Sequence, residues 1–269
     1  MPSLTVVVPV LNEAVLLDPF LRKTKEDLET GGIDWELILV NDGSTDKSLE
    51  IMRRFAATDA RVTVIDLGFN HGPGANLHQA FQQATKEFCC YATVDGFYDT
   101  RLLPKLLEHL PEYDAVSAYR SDLKAHTPFR RVQTMLNIYL QRLLFTDRFT
   151  AYHTLQIHRT DFLQKVPLES RTPFLCSEML FKVSRLGFRV KEVAIPYLPR
   201  KAGKATGGNP RLIARHMGDI FRFWFRWVVF RRPMLSRDVK LHAHSRHQLL
   251  VAASTSRENQ KGEATHGHP

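Results

Sequence analysis

Short apolar runs alternate along the first part of the chain with longer stretches in which apolar residues recur at helical spacing. Leu4 to Val10 is a continuous, β-branched run that breaks at Asn12-Glu13, the pattern of a strand buried on both faces. Residues 14 to 30 carry Leu16, Leu17, Phe20, Leu21 and Leu28 on a helical period and stop at Gly31-Gly32, a C-terminal cap signal. Trp35 to Val40 is a second strand, closed by Asn41-Asp42-Gly43-Ser44-Thr45-Asp46. Ser44 or Thr45 is expected to cap a helix over 47–57. Arg61 to Asp66 forms a third strand. A glycine-rich loop from Gly68 to Gly74 then leads into a helix from about Ala75 to Glu87. The run 88–94 is a fourth strand, and Leu102 to Leu110 a short helix. Strands alternating with helices at this spacing predict an α/β fold with a doubly wound, mostly parallel sheet. Ligands of such sheets sit at the carboxyl ends of the strands. That singles out Asn12-Glu13, Asn41-Asp42, Gly68 to Asn70 and Asp95 to Asp99.

The rhythm changes beyond Asp114. Ala115 to Tyr119 reads as a fifth strand, Arg130 to Leu144 as a long, basic, amphipathic helix, and Lys191 to Tyr197 as a late strand with Pro196 near its end. Residues 211–230 form a helix whose last part, Ile220 to Phe230, is rich in aromatics and arginine. The segment from about Lys240 is polar, poor in aromatics and expected to be disordered. The expected division is therefore a domain over 1–210, an amphipathic helix over 211–235 and a loose tail over 240–269.

Composition changes this picture little. With 269 residues, 43% hydrophobic and 24% charged, the chain can bury a full core. The net charge of +9 matters more for where it lies, since arginine is dense from Arg120 to Arg237. Such a bias suits a phosphate-bearing ligand, an anionic membrane surface or nucleic acid. Three cysteines offer no disulfide framework, so a reducing compartment is expected, and Cys89-Cys90 read as packing residues. The start lacks the basic region of a signal peptide, and no run reaches the ~18 apolar residues a membrane span needs. The histidines at 242, 244, 247, 266 and 268 lie in the polar tail, without the rigid scaffold a metal site requires.

Two strings carry the chemistry. "VVVPVLNE", followed by "ELILVNDGSTDKS" at this spacing, resembles the nucleotide-sugar half of the family-2 glycosyltransferases of GT-A fold. The likeness is greatest to polyprenyl-phosphate sugar transferases of the dolichyl-phosphate mannose synthase type. The resemblance implies that Pro9, Glu13 and Asp42 line the base and ribose pocket, with Asn12 and Ser44 beside them. The chemistry agrees, because a carboxylate accepts the ring N–H of uracil or guanine and the hydroxyls of ribose. "GFNHGPGANLHQA" extends the likeness, and Asn70 and Gly72 would meet the diphosphate there: glycines let backbone approach closely, and a helix N-terminus favours anions.

The family's metal-binding Asp-x-Asp falls on Thr93-Val94-Asp95 when the register runs without a gap from Asn70. One acid survives as Asp95, and Phe97 stands where a glutamine often follows. A single carboxylate, diphosphate oxygens and water can still hold Mg²⁺ or Mn²⁺, less firmly than a full set of hard oxygen ligands. Asp99 offers a second acid if the loop bends back. Two other readings stay open: a register with Asp95 as the first acid, which needs a two-residue insertion, and Asp95 as the cap of a turn.

The resemblance further implies that Arg120, Arg130 and Arg131 hold the lipid phosphate and the leaving diphosphate, a task suited to guanidinium forks. In "SEMLFKVSRLGFRVKEVAIPYLPRKAGKA", Glu178 would face the sugar or acceptor, and Arg200 with Lys204 would lie near the phosphates. Ala205 stands where the family often has serine. A usual acid is replaced by Phe149, with Asp147 nearest to it. Trp224, Trp227, Arg222 and Arg226 favour a bilayer interface. The expected activity is inverting transfer of a sugar from a UDP- or GDP-sugar to polyprenyl phosphate, at the cytoplasmic face of a membrane and beside a membrane protein that uses the product. The alternatives are transfer to a glycan or lipid hydroxyl, and a catalytically silent nucleotide-sugar-binding relative. The strand-end strings do not suit a nucleic-acid binder.

Overall fold

The computed structural model describes residues 2–94, 99–120, 128–146, 149–152, 155–196 and 210–230. Its centre is a seven-stranded sheet in the order β3-β2-β1-β4-β6-β5-β7. The first four strands are β1 (Ser3–Val10), β2 (Asp34–Asn41), β3 (Val62–Asp66) and β4 (Phe88–Tyr91). They are followed by β5 (Ala115–Arg120), β6 (Leu155–Arg159) and β7 (Val190–Ile195). All pairings are parallel except those of β6, which runs antiparallel to both β4 and β5. The sheet is thus mixed, and β6 is the element the apolar pattern did not announce. Its sequence, Leu-Gln-Ile-His-Arg, mixes polar and apolar residues although four of the five are buried.

The helices are α1 (Ala14–Thr30), α2 (Ser48–Ala56), α3 (Pro73–Gln83), α4 (Leu103–Leu107), α5 (Pro128–Phe145), α6 (Thr160–Lys165), α7 (Leu175–Arg185) and α8 (Pro210–Phe223). A π-helical segment, Trp224–Val229, continues α8. Strand β1 shows why the sheet is covered on both sides. Leu4, Val6, Val8 and Val10 pack with Leu17 and Leu21 of α1, Met52 of α2 and Leu106 of α4. Val7 turns the other way, towards Phe81 of α3, Phe162 of α6 and Met179 of α7. A third cluster, Phe145, Phe174, Phe181, Ile220, Phe223 and Trp227, ties α8 and its continuation to α5 and α7.

Several boundaries move. β4 ends at Tyr91 rather than 94, although Ala92 still donates to the Val7 carbonyl at 2.8 Å. Helix α3 starts at Pro73, whose missing N–H costs nothing in a first turn. Ser44 and Thr45 do not cap α2; the Ser48 amide donates to Asp46 Oδ1 at 2.9 Å instead. Trp227 lies in the aromatic cluster, 7% exposed, not at a free surface.

His158 on β6 is fully buried, and burial pushes its pKa down to about 3. Its Nε2 lies 2.9 Å from Gln156 Oε1, an acceptor, so Nε2 carries the proton of a neutral ring. Below the ordinary histidine value the unfolded chain binds a proton that the folded chain refuses. Stability therefore falls as pH drops from about 6.5 towards 3, by up to ~1.4 kcal/mol per unit. Urea unfolding at pH 7.5 and 5.0 should show a loss that is smaller by ~2 kcal/mol in His158→Gln.

Candidate functional site

The parallel strands deliver their carboxyl ends to one edge, and the loops there are stitched across the strands. Asp42 follows β2, and its amide donates to Val10 O of β1 at 2.9 Å. Asn12 adopts a left-handed backbone (φ 56°), a conformation asparagine tolerates better than most residues. There it acts both ways: its amide donates to Ser44 Oγ at 3.1 Å, and its Oδ1 accepts from Thr45 N at 2.8 Å. The Glu13 amide donates to Ser48 Oγ and the Ala14 amide to Asp46 Oδ2. Burial pushes the Asp46 carboxyl up, but hydrogen bonds from the Ser48 hydroxyl and amide and from the Ala14 amide outweigh it and hold the group below its ordinary value.

The second seam joins β2 to β3 and the loop beyond. Asn41 Nδ2 donates to Asp66 Oδ1 at 2.8 Å, and that hydrogen bond, opposed by burial and aided by the Gly68 amide, lowers the Asp66 pKa. Asp42 is 3% exposed. Its Oδ1 accepts from His71 N at 2.7 Å and its Oδ2 from Gly72 N at 3.2 Å. Asn70 Oδ1 accepts from the same Gly72 amide at 2.9 Å. Two of the carboxylate's roughly four lone-pair sites are thereby used, which leaves acceptor capacity for a ligand N–H. Gly43 (φ 79°) lets the backbones touch: a Cβ there would lie 2.6 Å from Phe69 C and Cα. Phe69 stacks on His71 with centroids 3.9 Å apart, and the Phe69 carbonyl accepts from His71 Nδ1 at 2.7 Å.

Helix α3 begins at this loop, and its N-terminus is braced by the segment 167–171. The Gly74 amide donates to Arg171 O, and a Cβ on Gly74 would stand 1.9 Å from Ser170 O. Glu178, expected at the sugar or acceptor, holds this brace instead. It is fully buried, and its oxygens accept from the amides of Glu169 and Ser170 at 2.9 and 2.8 Å and from Lys182 Nζ at 2.7 Å. Lys182 Nζ also donates to Pro167 O and lies 4.3 Å from the centre of the Trp227 ring. The Glu-x-x-x-Lys spacing was the available signal for this pair, and it passes as an ordinary helix-surface pair until burial is known.

Pro9 lies within β1 and Arg120 ends β5, half-buried, while Arg131 sits half-buried early in α5. Thr93 is half-buried just past β4. Asp99 is committed to Arg101: Oδ1 accepts from the Arg101 amide at 3.1 Å and Oδ2 from its Nε at 2.8 Å. Hydrogen bonding from the Arg101 side chain, against a smaller opposing effect of burial, lowers the Asp99 pKa. Asp95, Asp147, Arg200 and Lys204, with Phe97 and Ala205, lie outside the described residues, as does the side chain of Arg130. Among the described residues no three His, Cys, Asp or Glu side chains gather as a metal would require. None of the described helices is long and apolar enough to cross a membrane.

Residues 5–167 match the family described as glycosyl transferase family 2, more than half of the chain. The chain belongs to this family. It is 29% identical over 253 residues to glycosyltransferase AglD of Haloferax volcanii, an alignment covering 90% of this chain and 40% of AglD. It is 30% identical over 212 residues to the undecaprenyl-phosphate 4-deoxy-4-formamido-L-arabinose transferase of Edwardsiella ictaluri, covering 78% of this chain and 64% of that protein. Both family members are thus considerably longer than the region this chain spans. The crystal structure of Mycobacterium tuberculosis glucosyl-3-phosphoglycerate synthase, in complex with Mn²⁺, UDP and phosphoglyceric acid, superposes with a TM-score of 0.62. Identity there is 17%, with 89% of this chain and 82% of that chain covered. The fold is the GT-A nucleotide-diphospho-sugar transferase fold.

Two substitutions separate bracing from substrate contact. Glu178→Ala leaves Lys182 buried beside an empty place and is expected to cost ~3–5 kcal/mol in denaturant unfolding. Unchanged stability with lost activity would return Glu178 to the substrate. Gly74→Ala must part α3 from Ser170 and should cost about 1–3 kcal/mol, read as a lower Tm.

Proposed function

We propose that this chain is an inverting glycosyltransferase that moves a sugar from a UDP- or GDP-sugar to polyprenyl phosphate at the cytoplasmic face of a membrane. The observation that carries the reading is the convergence of Asn12-Glu13, Asp42 and the loop 68–72 on adjacent strand ends. In this reading Pro9, Asn12, Glu13, Asp42 and Ser44 bind the nucleoside. Asn70, Gly72 and the start of α3 meet the diphosphate, where the helix dipole favours anions. The activity of the Edwardsiella relative, an undecaprenyl-phosphate sugar transferase, supports undecaprenyl phosphate as the kind of acceptor.

The reaction then needs little from the protein beyond placement and charge. An oxygen of the acceptor phosphate attacks the anomeric carbon, the bond from that carbon to the diphosphate oxygen breaks, and the nucleoside diphosphate leaves with its electron pair. The acceptor is already anionic at neutral pH, so no general base is required. Arg120 and Arg131 hold phosphate oxygens, and Arg130, Arg200 and Lys204 are the further cations proposed for the same charge. The described carboxylates do not by themselves make a divalent-cation site, since Thr93 carries none and Asp99 is held by Arg101, so no step is routed through a metal. Asp95 remains the residue proposed to touch Mg²⁺ or Mn²⁺. Thr93 and the Asp99–Arg101 pair favour a second reading, a protein that binds nucleotide sugar without transferring it.

Thermal unfolding with GDP and UDP, each with and without Mn²⁺, tests the donor reading. One of the two nucleotides should raise Tm, and Mn²⁺ should enlarge the rise, more so in Thr93→Asp. Silence from both nucleotides would sink the reading. Stabilisation without turnover of any polyprenyl phosphate would favour the second one. If transfer is found, Arg131→Ala should lower kcat/KM for the acceptor by about 10²-fold and leave donor binding unchanged.

A further inference from the structure

Helix α5 presents to solvent a face that a water-soluble surface does not explain. Val132, Met135, Leu136, Tyr139 and Leu143 are each 55–68% exposed. At helical pitch they fall within an arc of about 100°, a single stripe along a helix roughly 27 Å long. The opposite side of the same helix is the one that packs, with Gln141 and Phe145 buried. Scattered exposed apolar residues need no account, but a contiguous stripe on one helix marks a contact surface.

Its surroundings state what kind of surface would cover it. The helix contains Arg130, Arg131 and Arg142 and no Asp or Glu, in a chain that has 28 acidic residues. Arg131 and Arg142, eleven positions apart, lie along one margin of the stripe, three helical turns from each other. The π-helical segment Trp224–Val229 packs beside α5 and adds the exposed Phe225, with Phe230 directly after it. The one acid of 210–230, Asp219, is held by Thr172, whose Oγ1 donates to Asp219 Oδ2 at 2.8 Å. An apolar face bordered by fixed cations and short of carboxylates complements an anionic lipid surface. A second copy of the same face would set arginine against arginine.

Topology ties α5 to the edge of the sheet that bears the site. Segment 121–154, which contains α5, leaves from the end of β5. It returns at the start of the antiparallel β6, where Leu155 pairs with Ala118. Both its ends attach to the carboxyl edge of the sheet, the edge that bears Asn12, Asp42 and the loop 68–72.

We propose that the exposed stripe of α5, with the adjoining Phe225 and Phe230, lies in the interface of an anionic bilayer and turns the strand-end site towards the lipid headgroups. This deepens the polyprenyl-phosphate reading by naming how an acceptor confined to a membrane meets the site. It also corrects the tryptophan-based expectation, because Trp227 is packed inside and α5 supplies the contact. Trp224, half-buried against the same aromatic cluster, is not the anchor either.

Co-sedimentation of the full chain with phosphatidylcholine vesicles, with and without 30 mol% phosphatidylglycerol, tests it. The chain should bind the anionic vesicles and bind neutral ones far more weakly. Met135→Glu with Tyr139→Glu should lower the partition coefficient at least tenfold, while Val15→Glu, at an exposed apolar position on α1, leaves it unchanged. Nucleotide-induced thermal shifts, run in parallel, report folding and donor binding separately from lipid binding. If the double variant does not fold, Leu143→Gln replaces it, with a severalfold loss expected. Vesicle binding that these variants do not reduce would overturn the proposal. So would a wild-type chain that ignores anionic vesicles, or a dimer that the variants split without change in lipid binding. Loss of the nucleotide shift with lipid binding intact would count against the donor reading alone.

Discussion

The carboxylate of Asp42 is the tie on which the arrangement of the strand ends depends. It is almost wholly removed from water, and a buried charge persists only if hydrogen bonds replace its hydration. The amides of His71 and Gly72 supply that replacement, charge-assisted bonds of about 1.5–3 kcal/mol each. The same bonds fix the loop that opens α3 and so decide where its N-terminal amides point. Asn12 extends the tie to β1 by adopting a left-handed backbone that is repaid by bonds to Ser44 and Thr45. A donor diphosphate entering here would meet a site already assembled, with little left to order on binding.

A second buried carboxylate stands behind the first. Glu178 and Lys182 sit fully inside the domain, and such a pair is tolerable only because the amides of Glu169 and Ser170 and the Pro167 carbonyl complete its hydrogen bonds. The segment they hold is the one that touches Gly74. The same segment reaches outward, since Glu169 Oε2 lies 2.7 Å from Arg226 Nη1 in the π-helical segment. One short stretch of chain therefore links the loop that opens α3, the buried pair and the segment beside α5. The C-terminal helix belongs to the body of the domain through the aromatic cluster, whatever its outer face meets.

Much of the sheet was legible because its central strands β1 and β2 are buried on both faces and so read as nearly unbroken apolar runs. β1, β2 and β3 differ from their expected spans by at most a residue at either end. β6 was not legible, because His158 and Gln156 are buried polar residues hydrogen-bonded to each other, and no periodicity announces a strand with polar residues at buried positions. At the site, sequence pointed to Asn12, Glu13, Asn41 and Asp42 by position after their strands, but not to Asp66, whose carboxylate accepts the stitching bond from Asn41. Glu178 was legible as an acid and not as a buried one, since the amides that bind it lie up to nine residues away in sequence and only folding brings them together. The tryptophans misled for a related reason. Their composition fits an interface, yet orientation on the helix sends Trp227 inward and leaves Phe225 and Phe230 outside.

The state of the site's acids bears on the choice between acceptors. A hydroxyl acceptor needs a base, and a useful base has a pKa near the working pH. Asp46, Asp66 and Asp99 are all held below their ordinary values by the hydrogen bonds they accept, so they are weaker bases than free carboxylates. Asp42 and Glu178 are engaged by backbone amides, and Glu178 by Lys182 as well. These five carboxylates are occupied with holding the strand ends and loops in place. A phosphate acceptor makes no demand on them. It needs cations, and the second half of the chain is where the cations lie. The charge distribution and the hydrogen bonding thus argue for the proposed chemistry, in which the acids would build the donor cradle and the arginines would meet an acceptor that arrives already charged.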